Sequence, residues 1–70
     1  MMFHLWDRQT MKLWGKDPKG MRLGQFYMNE LAKYNLDLYR SVPDDIDPFY
    51  FTTRFPDFIR WLAENWVEDT

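Results

Sequence analysis

The chain has 70 residues, one histidine and no cysteine, a formal net charge of −2, and 20% aromatic residues. The absence of cysteine excludes a disulfide framework, and the single histidine disfavours structural zinc, whose usual ligands are cysteine and histidine. A chain this short buries only about 60% of its unfolded surface. We therefore expect one domain over residues 1–70, with large aromatic side chains supplying most of the core.

Charge is divided unevenly along the chain. Residues 1–40 carry seven Lys and Arg against four Asp and Glu, whereas residues 41–70 carry two against seven. Such asymmetry can steer a partner or orient self-association. No apolar run approaches the ~20 residues of a membrane span, and Asp7 interrupts the N-terminus too early for a signal peptide. These features predict a cytoplasmic protein with no membrane partner.

The N-terminal segment is predicted as a helix over residues 5–14, because five side chains fit one helical face. They are Phe3, Trp6, Thr10, Leu13 and Trp14. Residues 2–6 fit a short strand equally well, so a strand stays open as the alternative. Residues 15–20 are rich in glycine and lysine and are typical of a polar hinge.

A second helix is predicted over residues 21–34, where an apolar face recurs at helical spacing. That face comprises Leu23, Tyr27, Leu31 and Tyr34. Gly24 lies on the apolar side. Since an interior glycine costs about 1 kcal/mol relative to alanine, it predicts the close approach of another element, such as a large aromatic side chain. Asn35 follows as a C-terminal cap.

Residues 36–53 connect the two longer helices and mix turn-forming with apolar side chains. The apolar ones are Ile46, Phe49, Tyr50 and Phe51. Because these side chains are not typical of a solvated loop, we expect the segment to fold back onto the core. Short helical turns are expected near residues 36–40 and 48–50.

The C-terminal helix, predicted over residues 54–67, has the clearest pattern. Its apolar face comprises Phe55, Ile59, Leu62 and Trp66, and its opposite face comprises Asp57, Arg60, Glu64 and Glu68. Thr52 or Thr53 is expected to cap the N-terminus, and Pro56 suits the first turn. The sequence thus predicts an all-α fold, a small three-helix domain with an aromatic-rich core. An α+β fold with a short N-terminal strand is the alternative.

Catalytic and metal-binding residues are scarce. A nucleophilic site needs a nucleophile, a base and a group that orients the base, and the chain offers only Ser41 and His4, in no recognisable motif. The cluster of Asp44, Asp45 and Asp47 lacks the glycine and the final glutamate of an EF-hand loop, which favours a solvated turn. We expect no enzyme activity, no cofactor and no metal.

Binding is the remaining class of function, and the first candidate is a protein-binding site around Trp61. This residue lies off the main apolar stripe beside Phe58, with Asp57 and Arg60 as a polar rim. Exposed aromatic anchors with polar rims are typical of protein interfaces. The leading hypothesis is a small non-enzymatic module that binds a protein partner or associates with itself.

The alternative is nucleic-acid binding by a basic stretch. Its residues are Lys12, Lys16, Lys19 and Arg22, with Trp14 as a stacking residue. Four cations form a small footprint, and the net charge of the chain is negative, whereas nucleic-acid-binding modules are generally basic. The sequence therefore favours protein binding.

Three motifs give the chain a likeness to other sequences. They are Arg22-Leu23-Gly24-Gln25, Asp47-Pro48-Phe49-Tyr50, and Phe58-x-x-Trp61-Leu62-x-x-x-Trp66. Over residues 21–66 the chain resembles a group of short uncharacterised proteins of bacteria and their phages. The resemblance implies a compact helical unit and a phage or prophage setting. It adds a specific version of the leading hypothesis, a phage-encoded modulator of a host protein.

Overall fold

The computed structural model describes residues 1–67 as a bundle of short helices. Its α-helices are α1 (Phe3–Lys16), α2 (Leu23–Tyr34), α3 (Leu36–Ser41) and α4 (Phe55–Asn65), with 3₁₀ turns at Asp44–Ile46 and Thr52–Arg54. This range contains no strand, so the predicted all-α class is confirmed and the α+β alternative is wrong. The structure has four helices where three were predicted, because residues 36–41, which were expected to form a short helical turn, form the α-helix α3. Glu68 lies outside the described residues.

α1 forms because Phe3, Trp6 and Thr10 recur at helical spacing and are buried together. The hydroxyl of Thr10 donates to the carbonyl oxygen of Trp6 at 2.7 Å, which satisfies this buried polar group. The helix extends two residues beyond the prediction at each end. Its buried face is shorter than predicted, since Leu13 is 51% exposed and Trp14 is half-buried.

A tight turn, not a flexible hinge, joins α1 to α2. The N–H of Met21 donates to the carbonyl oxygen of Pro18 at 2.9 Å, and the two residues between them, Lys19 and Gly20, have φ of 54° and 72°. Glycine adopts this conformation without strain, whereas lysine does so at some cost. Trp14 Nε1 donates to the carbonyl oxygen of Met21 at 3.0 Å and ties the turn to α1.

Asn35 connects α2 to α3. Its N–H donates to the carbonyl oxygen of Leu31 at 2.8 Å, and its Oδ1 accepts from the N–H of Leu38 at 3.1 Å. The predicted capping role is therefore confirmed, and the same side chain also caps the next helix. The 3₁₀ turn expected over residues 48–50 lies instead at Asp44–Ile46.

α4 begins without a side-chain cap. Thr52 and Thr53 form a 3₁₀ turn that leads directly into Phe55, so the predicted threonine cap is wrong. Pro56 occupies the first turn, as predicted. The helix ends at Asn65, two residues earlier than expected.

Tyr27, in α2, is where three helices meet in the core. The central cluster of buried apolar residues comprises Phe3, Trp6, Tyr27, Met28, Leu31, Leu38, Val42, Phe58 and Leu62. The ring of Tyr27 packs edge-on against Trp6 of α1 and Phe55 of α4, and its hydroxyl donates to Asp7 Oδ1 at 2.5 Å. Burial, together with the hydrogen bond to Asp7 and its charge, raises the pKa of Tyr27 well above its ordinary value.

Trp66 packs against the core where the two ends of the described chain meet, as predicted for the C-terminal apolar face. Its ring stacks on Tyr34 at an interplanar angle of 11° and contacts Phe3 and Trp6. Trp66 Nε1 donates to the carbonyl oxygen of Met1 at 2.8 Å. One partly buried tryptophan therefore fixes α1, the end of α2 and the end of α4 relative to one another.

Candidate protein-binding site

Phe58 lies in the core and not on the surface. Phe58 and Leu62 are 0% exposed, whereas Phe55 and Ile59 are half-buried at the edges of the α4 contact. A partner cannot reach a side chain with no exposed area, so the predicted place of Phe58 on a docking surface is wrong.

Trp61 is half-buried and forms one wall of an open groove between α3 and α4. The groove has a volume of about 410 Å³ and is lined by Asn35, Asp37, Leu38, Ser41, Trp61, Asn65 and Val67. Asp57 and Arg60 are exposed nearby on α4 and form a loose ion pair with an N–O distance of 3.9 Å. The predicted Trp61 site is thus a groove wall with a charged margin, not a protruding anchor.

The aromatic side chains that do protrude are Tyr50 and Phe51. Tyr50 is 69% exposed and Phe51 is 53% exposed, and every other aromatic side chain of residues 1–67 is buried or half-buried. The guanidinium of Arg54 lies 4.4 Å from the centroid of the Phe51 ring, and the ring of Phe49 packs edge-on against Tyr50. We call residues 47–51 the aromatic loop.

The aromatic loop is held from both sides. The N–H of Phe49 donates to Asp47 Oδ1 at 2.9 Å, and the N–H of Arg54 donates to the carbonyl oxygen of Phe51 at 3.0 Å. Arg22, the residue that precedes α2, donates from Nη1 to the carbonyl oxygen of Tyr50 at 3.3 Å. These contacts present two large aromatic side chains from a defined backbone.

Gly24 explains how the loop approaches α2 so closely. A Cβ atom added at Gly24 would overlap the backbone carbonyl of Pro48, which is itself buried. The predicted close approach at Gly24 is therefore confirmed, but the approaching group is a backbone and not an aromatic ring. A side chain at position 24 would displace the base of the loop.

Sequence reasoning missed the aromatic loop because it assigned Tyr50 and Phe51 to the core. A signal was present in the residues that follow. At helical spacing, Tyr50 is followed by Thr53 and Arg54, both polar, so this tyrosine continues no apolar face.

The predicted nucleic-acid-binding residues lie on three different elements, namely α1, the turn after it and the start of α2. Lys12 and Lys16 are exposed on α1, whereas Arg22 is hydrogen-bonded to the aromatic loop. Lys19 is exposed in the turn. The half-buried ring of Trp14 is held by its bond to the carbonyl oxygen of Met21, which leaves it poorly placed to stack on a base.

Arg8 joins Lys12 and Lys16 in a single row on α1, since residues four apart lie on the same helical face. We call this row the cationic ridge. Within residues 1–67 the side-chain ion pairs are Lys33–Glu30 and Arg60–Asp57, so no cation of the ridge is held in a close ion pair there.

Comparisons of the chain with protein-family models, with curated proteins and with solved structures found no match. Across residues 1–67, none of the helices combines the length and the apolar character needed to cross a bilayer. In the same range, histidine, aspartate and glutamate side chains nowhere gather in threes as a set of metal ligands.

Proposed function

We propose that this chain is a small non-enzymatic protein-interaction module whose aromatic loop inserts into an apolar pocket of a partner protein. The observation that carries the proposal is the exposure of Tyr50 and Phe51 from a loop fixed by three hydrogen bonds and by the Gly24–Pro48 contact. Hot spots of protein interfaces are enriched in tyrosine and arginine.

Preorganisation makes such a loop effective in binding. Ordering a flexible side chain at an interface costs about 0.5–1.5 kcal/mol, and this cost falls when the unbound protein already holds the bound geometry. Arg22 and Arg54 contact the loop on either side, and Arg54 also donates to the carbonyl oxygen of Asp44 at 3.1 Å. This arrangement supports an apolar centre with a charged rim, as in stable protein interfaces.

The resemblance to short bacterial and phage proteins supports one version of this proposal. In that version the partner is a host protein, and the chain is a phage-encoded modulator of it. The aromatic loop contains the Asp47-Pro48-Phe49-Tyr50 motif, and Arg22 and Gly24 of the first motif contact it. The residues of the likeness thus coincide with the proposed binding loop.

Affinity capture with paired variants tests the proposal. Wild-type protein, the double variant Tyr50→Ser/Phe51→Ser and the control Leu36→Ser are compared as baits in lysate of the source cell. Leu36 is 45% exposed in α3, away from the loop. We expect a partner that the wild type and the control retain and that the double variant loses. A partner retained equally by all three baits, or no partner at all, would refute the role of the loop.

Nucleic-acid binding is the second candidate, and the cationic ridge is the observation that favours it. Arg8, Lys12 and Lys16 span about 12 Å along α1, a length that reaches only a few phosphates. A mobility-shift assay at two salt concentrations tests it, because phosphate contacts weaken steeply with salt. Tight binding that is lost in Lys12→Glu/Lys16→Glu would favour this candidate over protein binding.

A further inference from the structure

We infer that the cationic ridge of one copy docks into the α3–α4 groove of a second copy. The two surfaces lie on different helices of the same chain and are complementary in charge and apolar character. The inference is independent of the aromatic loop, which neither surface includes.

The groove has an apolar floor, and carboxylates lie at or near its edges. Leu38, Trp61 and Val67 supply the apolar lining, and Asp37 lies at the α3 edge. On α4, Asp57 and Glu64 are exposed one helical turn before and after Trp61, so they flank it on the same side of the helix. Asp57 is paired with Arg60, so the carboxylates available to a partner are Asp37 at the α3 edge and Glu64 beside the α4 wall.

The outer face of α1 has the opposite charge and is also partly apolar. Leu5 and Leu13 are 46% and 51% exposed and adjoin the row formed by Arg8, Lys12 and Lys16. Lys12, Leu13 and Lys16 line a common shallow depression with Gln9. Asp7 accepts a hydrogen bond from Tyr27 and lies beside Arg8 at the N-terminal end of the ridge, so the docking contact is assigned to Lys12 and Lys16.

A second copy of the chain can contact both the cations and the exposed leucines of the outer face of α1. A phosphate backbone would neutralise its cations but would leave Leu5 and Leu13 without an apolar contact. A two-fold pairing of α1 with α1 would bury the leucines but would bring two cationic ridges together, which like-charge repulsion opposes. The α3–α4 groove offers carboxylates and apolar side chains together. Its α4 wall is about 16 Å long, against about 21 Å for α1.

Sedimentation velocity with complementary variants tests this contact. The ridge variant is Lys12→Glu/Lys16→Glu, the groove variant is Asp37→Lys/Glu64→Lys, and the control is Lys33→Glu, which changes an exposed lysine of α2. Circular dichroism first verifies that each variant keeps the helical content of the wild type. All positions are exposed, so we expect each variant to fold.

We expect the wild type and the control to associate with rising concentration at low salt and to return to monomer near ~0.5 M salt. Each charge-reversed variant alone is expected to associate more weakly than the wild type, by about tenfold or more. An equimolar mixture of the two should associate again, because the intact ridge of one variant meets the intact groove of the other and the two reversed surfaces are also opposite in charge. This complementation does not depend on which lysine faces which carboxylate.

A wild type that stays monomeric at low salt would overturn the inference and would leave the groove to another protein. Unchanged association of the ridge variant, or a mixture that does not recombine, would overturn it as well. The Tyr50→Ser/Phe51→Ser variant should associate like the wild type. Loss of partner capture by that variant with self-association intact would therefore separate this contact from the proposed function.

Discussion

A single methyl group at Gly24 gives the sharpest test of how the aromatic loop is held. In an open helix position, replacing glycine with alanine stabilises a protein by about 0.5–1 kcal/mol. At Gly24 the added Cβ would overlap the carbonyl carbon and oxygen of Pro48. Those atoms belong to the backbone, so they cannot move aside by a change of rotamer. Overpacking of this kind costs about 1–3 kcal/mol, and we expect Gly24→Ala to lower the free energy of unfolding by about 1–2 kcal/mol after the helix gain.

Gly15 provides the matched control within the same chain. It lies in the last turn of α1, and a Cβ built there meets nothing within 4 Å. Gly15→Ala should therefore raise the free energy of unfolding by about 0.5–1 kcal/mol. Urea unfolding followed by circular dichroism and by tryptophan fluorescence measures both variants, and coincident curves from the two probes verify two-state unfolding.

The sign of the difference between the two variants decides the question. If Gly24→Ala stabilised the protein as Gly15→Ala does, Pro48 would not rest on α2, and the base of the aromatic loop would not be fixed. If the contact is as described, Gly24→Ala should also reduce partner capture through the loop, whereas Gly15→Ala should leave it unchanged.

Three further substitutions test the packing around the core. Tyr27→Phe should cost about 1–2 kcal/mol, since Asp7 loses its partner. Tyr27→Phe should also change how stability depends on pH. In the wild type the free energy of unfolding should fall above pH ~10 by about 1.4 kcal/mol per pH unit, because Tyr27 ionises in the unfolded chain before it does in the folded protein. If urea unfolding across pH 9–11 gave the same pH dependence for both proteins, the raised pKa would be contradicted. Trp66→Ala should lower the free energy of unfolding by about 2–3 kcal/mol. The control Val67→Ala, at a 67% exposed position, should lower it by under about 0.5 kcal/mol. Similar decreases in melting temperature for both variants would contradict the role of Trp66 in joining the helices. Asn35→Ala should cost about 1 kcal/mol through loss of the α3 cap, and unchanged helical ellipticity and stability would show that the cap is dispensable.

Helical periodicity was sufficient to predict the class of the fold and the position of its main helices. α1, α2 and α4 all lie within two residues of the predicted bounds. Periodicity was not sufficient to orient α4. Apolar side chains cover more than half of its circumference, so several faces satisfy the pattern. The direction that faces the core is set by the neighbouring elements. Phe58 faces inward beside Phe55, whose ring packs on Tyr27.

The candidate site was harder to predict than the fold, because it depends on contacts between segments far apart in sequence. Exposure of Tyr50 follows from the position of Pro48 against Gly24, 24 residues earlier. Composition indicated that large aromatic side chains supply most of the core. It could not indicate which of them are left outside, since a turn segment has no period from which to read a face.

The sequence motifs that suggested a likeness to other small proteins acquire a physical meaning from these contacts. Gly24 leaves room for the backbone of Pro48, and Arg22 holds the carbonyl oxygen of Tyr50. Asp47 closes the loop through the N–H of Phe49. Two motifs more than twenty residues apart in the sequence are thus the two sides of one contact, and that contact supports the loop from which Tyr50 is exposed to solvent. A core requires no such device, because buried rings are held by their neighbours on every side. A binding loop benefits from such contacts, because the entropy cost of ordering a flexible loop would offset part of the free energy gained when its aromatic side chains are buried.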